Sequence, residues 1–223
     1  MAAMAAPLRV AWQRISGWGA RAPFAFGLAT ATLKTAAADA MTQKFIEGKA
    51  ELDRRRLLFF TGFGFAFLGV FQYWLYVSVF SRCFPHTARF AALPGLRERL
   101  RDTLGLRDLA LQTLAGNFLH IPFLFFPAFY VFQETIQGPE HDSATGLVAS
   151  ALERYRGNAR EDLLYTWKIW IPGHVIFLAV PMWARLPTNH AMSFVFVCIL
   201  SFMRGSESAS EKPERVVSRL PAE

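Results

Sequence analysis

The sequence predicts an all-α integral membrane protein, a bundle of four transmembrane helices whose fourth helix is either continuous or broken into two pieces. Hydrophobic residues make up 53% of the 223 residues and charged residues only 18%. Water-soluble domains usually carry about 25% charged residues, so too few charges remain here to cover a soluble domain. Most of the charged residues also lie outside the long apolar stretches, as expected of helices that hydrocarbon surrounds.

Four apolar stretches are long enough to cross a bilayer as helices, which takes about 20 mostly apolar residues. They cover residues 22–45, 57–80, 109–132 and 164–183. Prolines inside the third and fourth stretches do not exclude helices, because neighbouring helices satisfy the freed carbonyl groups in a membrane. A shorter apolar run at residues 191–203 either completes a broken fourth helix or forms a fifth, tilted one.

Composition divides the chain into three parts. Residues 1–21 form a basic, amphipathic N-terminal segment, residues 22–204 form the transmembrane helical domain, and residues 205–223 form a polar tail that we expect to be disordered. The first 38 residues carry three arginines, one lysine and no acid. This composition is typical of a mitochondrial targeting segment, and it also fits a basic helix lying on a membrane surface.

Polar side chains inside the apolar stretches are candidates for a functional site, because burying them in a membrane is costly. Asp39 and Gln43 end a stripe of small and polar residues that recurs every four positions. Asp39 either faces the bundle interior or reaches the interface at the end of its helix. His120, near the centre of its stretch, either lines an aqueous cavity or packs as a neutral group. The candidates for pore lining or polar helix packing are Asp39, Gln43, Gln72, Asn117, His120 and His174.

Other classes of site lack support in the sequence. Gly62, Gly64 and Gly69 lie inside an apolar stretch, so we expect them to allow close helix packing rather than nucleotide binding. We find no nucleophile motif and no paired His ligands, and the two cysteines have no metal-binding spacing. We therefore expect no enzyme activity, metal or cofactor. The net charge of +7 comes from arginines that flank apolar stretches, which indicates membrane anchoring rather than nucleic-acid binding.

A set of motifs spreads over residues 12–204. Ala38 and Asp39 precede Gln43, and three arginines at 54–56 precede Trp74 and Tyr76. Nearer the C-terminus come Trp-Lys-Ile-Trp at 167–170, Val-Pro at 180–181, Arg185 and Leu-Ser at 200–201. This pattern resembles the Mpv/PMP family of small peroxisomal and inner-mitochondrial membrane proteins, as a divergent member. The signature residues are Trp74, Tyr76, Trp167, Trp170, Pro181 and Arg185.

The resemblance implies a four-helix protein of the inner mitochondrial or peroxisomal membrane that acts as a weakly selective channel, without catalytic residues or a cofactor. The departures include Ala38 where the family has Gly, Val70 where it has Pro, and Phe196 where it has Trp. They leave open a second hypothesis, a non-catalytic accessory subunit of a respiratory or ATP-synthase complex. The acid-free N-terminus favours the mitochondrial inner membrane.

Both hypotheses name the same kinds of partner: membrane lipids such as cardiolipin, and either other membrane subunits or further copies of the chain. A channel lined by Asp39, Gln43, Gln72, Asn117 and His120 predicts conductance in planar bilayers. The acid would favour cations, so Asp39→Asn should reduce the conductance or its preference for cations.

Overall fold

The computed structural model describes residues 21–179 and 182–205, apart from the side chains of residues 175, 177–179 and 182–187. Within these ranges the chain is helical and contains no strand, so the predicted all-α class is confirmed. Most of the predicted segments 1–21 and 205–223 lies outside the described residues, as does Pro181. Arg185 is described by its backbone alone.

Five long helices and two short ones make up the described chain. They are α1 (Pro23–Met41, continued with wider turns by Thr42–Ile46), α2 (Arg54–Cys83), the short α3 (His86–Ala92) and α4 (Leu96–Arg101), α5 (Thr103–Gln137), α6 (Ala144–Ala179) and α7 (Met182–Arg204). The first three predicted stretches coincide with α1 or lie within α2 and α5, so their prediction as helices is confirmed. Helix α6 begins well before the predicted fourth stretch.

The apolar run at 191–203 belongs to α7, which lies antiparallel to α6. Trp170 contacts Phe196 with 5.9 Å between ring centroids, and Asp162 binds Arg204 at 2.7 Å. Residue numbers therefore fall along one helix as they rise along the other. The two apolar runs are not successive pieces of one broken helix but lie side by side in a hairpin, held by contacts along their length.

The long helices form a closed ring in the order α1, α2, α5, α6 and α7. Helices that follow one another in this order are antiparallel. Phe59 contacts Phe129 at 5.0 Å between centroids, and Phe67 contacts His120 at 6.1 Å, which sets α2 against α5. Helix α7 closes the ring by packing beside α1. This closing pair is parallel, because five is an odd number of helices and the alternation of direction cannot be completed.

Small residues let α1 and α2 approach closely. A Cβ atom added at Gly64 would lie 2.8 Å from the Cβ of Thr35, and one at Gly69 would lie 3.3 Å from the Cα of Leu28. Both glycines therefore serve helix packing, as the sequence predicts. Gly62 does not, because an added Cβ there would meet nothing within 4 Å.

Aromatic side chains fill the middle of the ring. Phe59, Phe60, Phe63, Phe125 and Phe129, here called the aromatic layer, are almost wholly buried, and most of their ring contacts are edge-to-face. Such contacts stabilise packing beyond the area that they bury. The layer separates the charged ends of the helices on one side from a cavity on the other.

Two of the described helices, Arg54–Cys83 and Thr103–Gln137, are long and apolar enough to cross a membrane. Only 28% and 39% of their most apolar windows are buried inside the protein. The core helix of a soluble protein would be mostly buried. Here large apolar side chains such as Phe65 and Phe123, which are 50% and 70% exposed, face outwards. This distribution is consistent with a membrane protein.

Candidate functional site

A cavity of about 400 Å³ lies inside the ring, and side chains from all five long helices line it. Its wall is mostly apolar but carries several polar side chains, among them Lys34, Gln72, Asn117, His120, His174 and His190. At about 30 Å³ for each water molecule, this volume would hold about a dozen waters. The size also falls within the range of small-ligand sites.

Four of the six candidates from the sequence meet at this cavity. Gln72 comes from α2, Asn117 and His120 from α5, and His174 from α6. The Nδ1 atom of His174 lies 2.5 Å from the carbonyl oxygen of Trp170, so Nδ1 carries the proton and donates. The cavity thus collects polar groups that are far apart in sequence.

Some polar atoms of the cavity wall have no hydrogen-bond partner among the described residues. They are Oδ1 of Asn117, Nε2 of His120 and Nδ1 of His190. Asn117 is 1% exposed and His120 5% exposed. A buried polar atom without a partner costs about 1–3 kcal/mol. These atoms therefore favour a cavity that holds water or a polar solute.

The backbone of α5 widens where it carries Asn117 and His120. Its π-helical turns run over Gly116–Phe125 and include Pro122, which has no N–H and cannot continue the α-helical ladder. The side-chain amide of Asn117 donates to the Thr113 carbonyl at 2.9 Å, and the indole N–H of Trp167 donates to the Asn117 carbonyl at 3.1 Å. Such widened turns are often found at functional sites.

Asp39 and Gln43 are not among the cavity-lining residues. Both are wholly buried where α1 meets α2 and α7. Oδ1 of Asp39 accepts from Nε of Arg56 at 2.7 Å and from the hydroxyl of Ser201 at 2.7 Å, and Oδ2 accepts from the Gln43 amide at 2.8 Å. The charge of Asp39 is thus satisfied inside the protein. The sequence allows either pore lining or polar helix packing for these two residues, and in the structure they serve polar helix packing.

A second buried network lies at the same end of the ring and was missed by the sequence reasoning. Arg204 binds Asp162 at 2.7 Å, and Asp162 also accepts from the hydroxyl of Tyr130 at 2.7 Å. Nearby, Arg154 binds Glu134 at 2.7 Å. We call the two networks together the charged end. They join the C-terminal halves of α1, α5 and α7 to the N-terminal parts of α2 and α6.

The sequence does carry a signal for Arg56. It shares a helix face with Phe59, Phe60 and Phe63, at spacings of three, four and seven residues, and all four are buried. Arg54 and Arg55 are exposed. One arginine of the triplet therefore points into the bundle, and the other two are the flanking charges that the composition predicts.

Glu47 extends the first network into the loop after α1. Its carboxylate lies 2.7 Å from Nη2 of Arg56 and 3.2 Å from Nζ of Lys49. Partial burial raises the pKa of Glu47, but the hydrogen bonds and charges of Arg56 and Lys49 outweigh that effect and hold the pKa below its ordinary value.

The residues that carry the family resemblance have different surroundings. Tyr76 and Trp170 line the cavity, and Trp167 is held against α5. Trp74 is 53% exposed. Pro181 and the side chain of Arg185 lie outside the described part of the chain.

Among the described residues, no group of three or more His, Cys, Asp or Glu side chains could hold a metal ion. The histidines of the cavity come from three helices and have no carboxylate or thiolate beside them in the lining. Comparisons of the chain with protein families, with curated proteins and with solved structures find no match.

Proposed function

We propose that the ring is a transmembrane bundle, in which α1, α2, α5 and the hairpin of α6 and α7 cross the bilayer. Residues 57–81 of α2 and 109–133 of α5 carry no charge. Each uncharged stretch is about 38 Å long at 1.5 Å per residue, which exceeds the roughly 30 Å of bilayer hydrocarbon. In the hairpin, the polar N-terminal half of α6 lies at the charged end, and the apolar C-terminal half of α6 packs against α7.

The function that this arrangement supports best is a weakly selective channel for small solutes. The observation that carries the proposal is the cavity with its polar side chains, in whose wall atoms of Asn117 and His120 have no hydrogen-bond partner among the described residues. A bundle with only a structural role gains nothing from buried polar atoms that lack partners. In a conduit they replace part of the hydration shell of a passing solute.

Conductance in planar bilayers tests this function. The purified full chain should conduct, and His120→Leu should lower the conductance several-fold while the protein stays folded, because the substitution removes a polar atom from the wall. Phe123→Leu is a matched control on the same helix, since Phe123 is 70% exposed on the outer surface. Silent bilayers with folded wild-type protein would refute the channel.

We place the protein in the mitochondrial inner membrane, with the peroxisomal membrane as the alternative. The support is the N-terminal composition, acid-free over the first 38 residues, and the resemblance to the Mpv/PMP family. A fluorescent protein fused after residue 38 should reach mitochondria, and the full chain should resist extraction with alkaline carbonate. Delivery of the full chain to peroxisomes would favour the alternative.

A non-catalytic accessory subunit of a large respiratory or ATP-synthase complex is the second candidate. The aromatic layer and the charged end favour it, because they fill one side of the ring with packed and paired side chains. Lipids such as cardiolipin, or other subunits, would then cover the apolar outer surface. This candidate predicts comigration with such a complex on native gels, whereas a small homo-oligomer would speak for the channel.

A further inference from the structure

The cavity carries a cation that no acid of the described residues neutralises. Lys34 of α1 lines it, and none of the described lining residues is an aspartate or a glutamate. The remaining titratable groups in the wall are His120, His174, His190 and two tyrosines. The electrostatic potential inside the cavity is therefore positive whenever the lysine is protonated.

Within the described part of the chain Lys34 has one polar contact, and that contact is neutral. Its ammonium donates to the hydroxyl of Ser193 on α7 at 2.6 Å. No carboxylate of the described residues lies within 4 Å of it. A cation held between helices is costly unless an anion or water accompanies it.

The charged end shows what a purely structural cation looks like in this protein. Each of its three arginines, of which Arg56 and Arg204 are buried and Arg154 is half-buried, faces a carboxylate. Arg56 faces Asp39, Arg154 faces Glu134, and Arg204 faces Asp162. Lys34 differs from them in its surroundings, because it faces open volume. A missing counter-ion beside an open cavity points to a mobile anion rather than to a packing role.

Hydrogen-bond donors surround the same part of the cavity. Asn189, His190 and Ser193 of α7 line it beside Lys34, and Nδ1 of His190 has no partner among the described residues. A carboxylate or phosphate accepts several hydrogen bonds at once, and charge-assisted bonds are stronger than neutral ones. The group of donors fits an oxyanion better than a cation or an apolar molecule.

We propose that this cavity binds small organic or inorganic oxyanions, with Lys34 as the charge partner and the donors of α7 beside it. The proposal deepens the channel function and rests on it for its role in transport, whereas the binding site itself can be tested alone. An anion site predicts the opposite ion preference from the cation preference that the sequence analysis expected from Asp39. The charge of Asp39 is paired with Arg56 at the charged end. The anion is either a free solute or the phosphate of a lipid headgroup, and the two have the same chemistry.

Binding is measured first, on the detergent-purified full chain. Inorganic phosphate or succinate should raise the thermal unfolding temperature in a saturable manner, because a ligand that binds only the folded state stabilises it. Lys34→Gln should weaken the apparent affinity by about tenfold or more, the effect of losing one partly buried charge. Lys34→Arg should retain most of it, and Ser193→Ala should weaken it by about threefold, the effect of one neutral hydrogen bond.

Lys44→Gln is the matched control, since Lys44 is exposed and its one hydrogen bond with the described residues is to the Ala50 carbonyl. Should Lys34→Gln not fold, Ser193→Ala and Lys34→Arg decide the matter. Equal stabilisation of the wild type and of every Lys34 and Ser193 variant, or none by either anion, would overturn the proposal.

Two further experiments are needed. The first distinguishes a free anion from a lipid headgroup, and the second tests the anion site and the channel separately. Adding phosphatidylglycerol, with phosphatidylcholine as control, to delipidated protein identifies a lipid headgroup if only phosphatidylglycerol stabilises the protein through Lys34.

In bilayers under a salt gradient, the reversal potential should show a preference for anions that Lys34→Gln removes. If the conductance prefers cations both in the wild type and in Lys34→Gln, the channel proposal stands and the anion-site proposal is refuted. If anions bind in a Lys34-dependent manner but the protein does not conduct, the channel proposal is refuted and the anion-site proposal stands.

Discussion

Arg56 and Asp39 form an ion pair inside the bundle, with 2.7 Å between Nε and Oδ1 and no exposed surface on either side chain. The guanidinium of Arg56 also donates to the hydroxyl and the carbonyl of Ser201, at 2.7 and 2.9 Å. One side chain of α2 thereby joins α1 and α7, the pair that closes the ring. The stability of the fold and the properties of the cavity can thus be tested at different residues.

Arg56→Gln should lower the free energy of unfolding by about 3–5 kcal/mol, because it leaves the buried carboxylate of Asp39 without its cation. Thermal unfolding in detergent, followed by size-exclusion chromatography, measures the loss. The neighbouring Arg55→Gln is the control, since Arg55 is exposed and should change stability by less than about 0.5 kcal/mol. Equal effects of the two substitutions would contradict the buried pair.

Tyr130→Phe should lower the free energy of unfolding by about 1.5–3 kcal/mol, the range for a hydrogen bond to a charged group. The hydroxyl of Tyr130 donates to the Asp162 carboxylate at 2.7 Å, and both groups are buried. Tyr165→Phe makes the same chemical change on a side chain that is 43% exposed, so it should have little effect. The prediction fails if Tyr130→Phe unfolds at the wild-type temperature.

Gly64→Ala should destabilise the protein by about 1–3 kcal/mol, the usual cost of overpacking, because the new methyl group would lie 2.8 Å from the Cβ of Thr35. Gly62→Ala, two residues away in α2, meets nothing within 4 Å and should stabilise the helix by about 0.5–1 kcal/mol. Unfolding temperatures of both variants, measured side by side, check the close contact between α1 and α2. Opposite signs are expected, and the same sign for both would argue against that contact.

Glu47→Gln should remove a pH-dependent contribution to stability of about 1–2 kcal/mol, somewhat less than a buried hydrogen bond to a charged group contributes, because Glu47 is only partly buried and solvent screens its charge. The pKa of Glu47 is held below its ordinary value of 4.5 by Arg56 and Lys49, despite partial burial. A carboxylate with a lowered pKa stabilises the folded state above its ordinary pKa, and the effect is lost as the pH falls through the lowered pKa.

The wild type should therefore unfold at a higher temperature than Glu47→Gln at neutral pH, and the difference should shrink below about pH 4.5. Glu51→Gln serves as the control, because Glu51 is exposed and has no hydrogen bond or ion pair with the described residues. A difference between wild type and Glu47→Gln that grew on acidification would contradict the assignment.

Apolar run length and composition were enough to predict the helices, because a long uncharged stretch can satisfy its own backbone only as a helix in hydrocarbon. They also singled out His120 and Asn117, since polar residues stand out against an apolar background. Lys34 and Arg204 gave no comparable signal. Arg204 follows the end of its apolar run, where a flanking charge could equally reach the membrane surface, whereas Lys34 lies near the middle of the first stretch. Only contacts from other helices decide which way each side chain points.

By itself, then, the sequence determined the all-α class, the position of α1, α2 and α5, and four of the polar residues that line the cavity. The tertiary structure decided that α6 and α7 form a hairpin, that Asp39 is paired with Arg56, and that Lys34 faces open volume without a counter-ion among the described residues. The physical reason is the range of the interactions. Hydrophobicity and backbone hydrogen bonding act within one stretch of chain, whereas pairing a charge depends on which distant residue lies beside it.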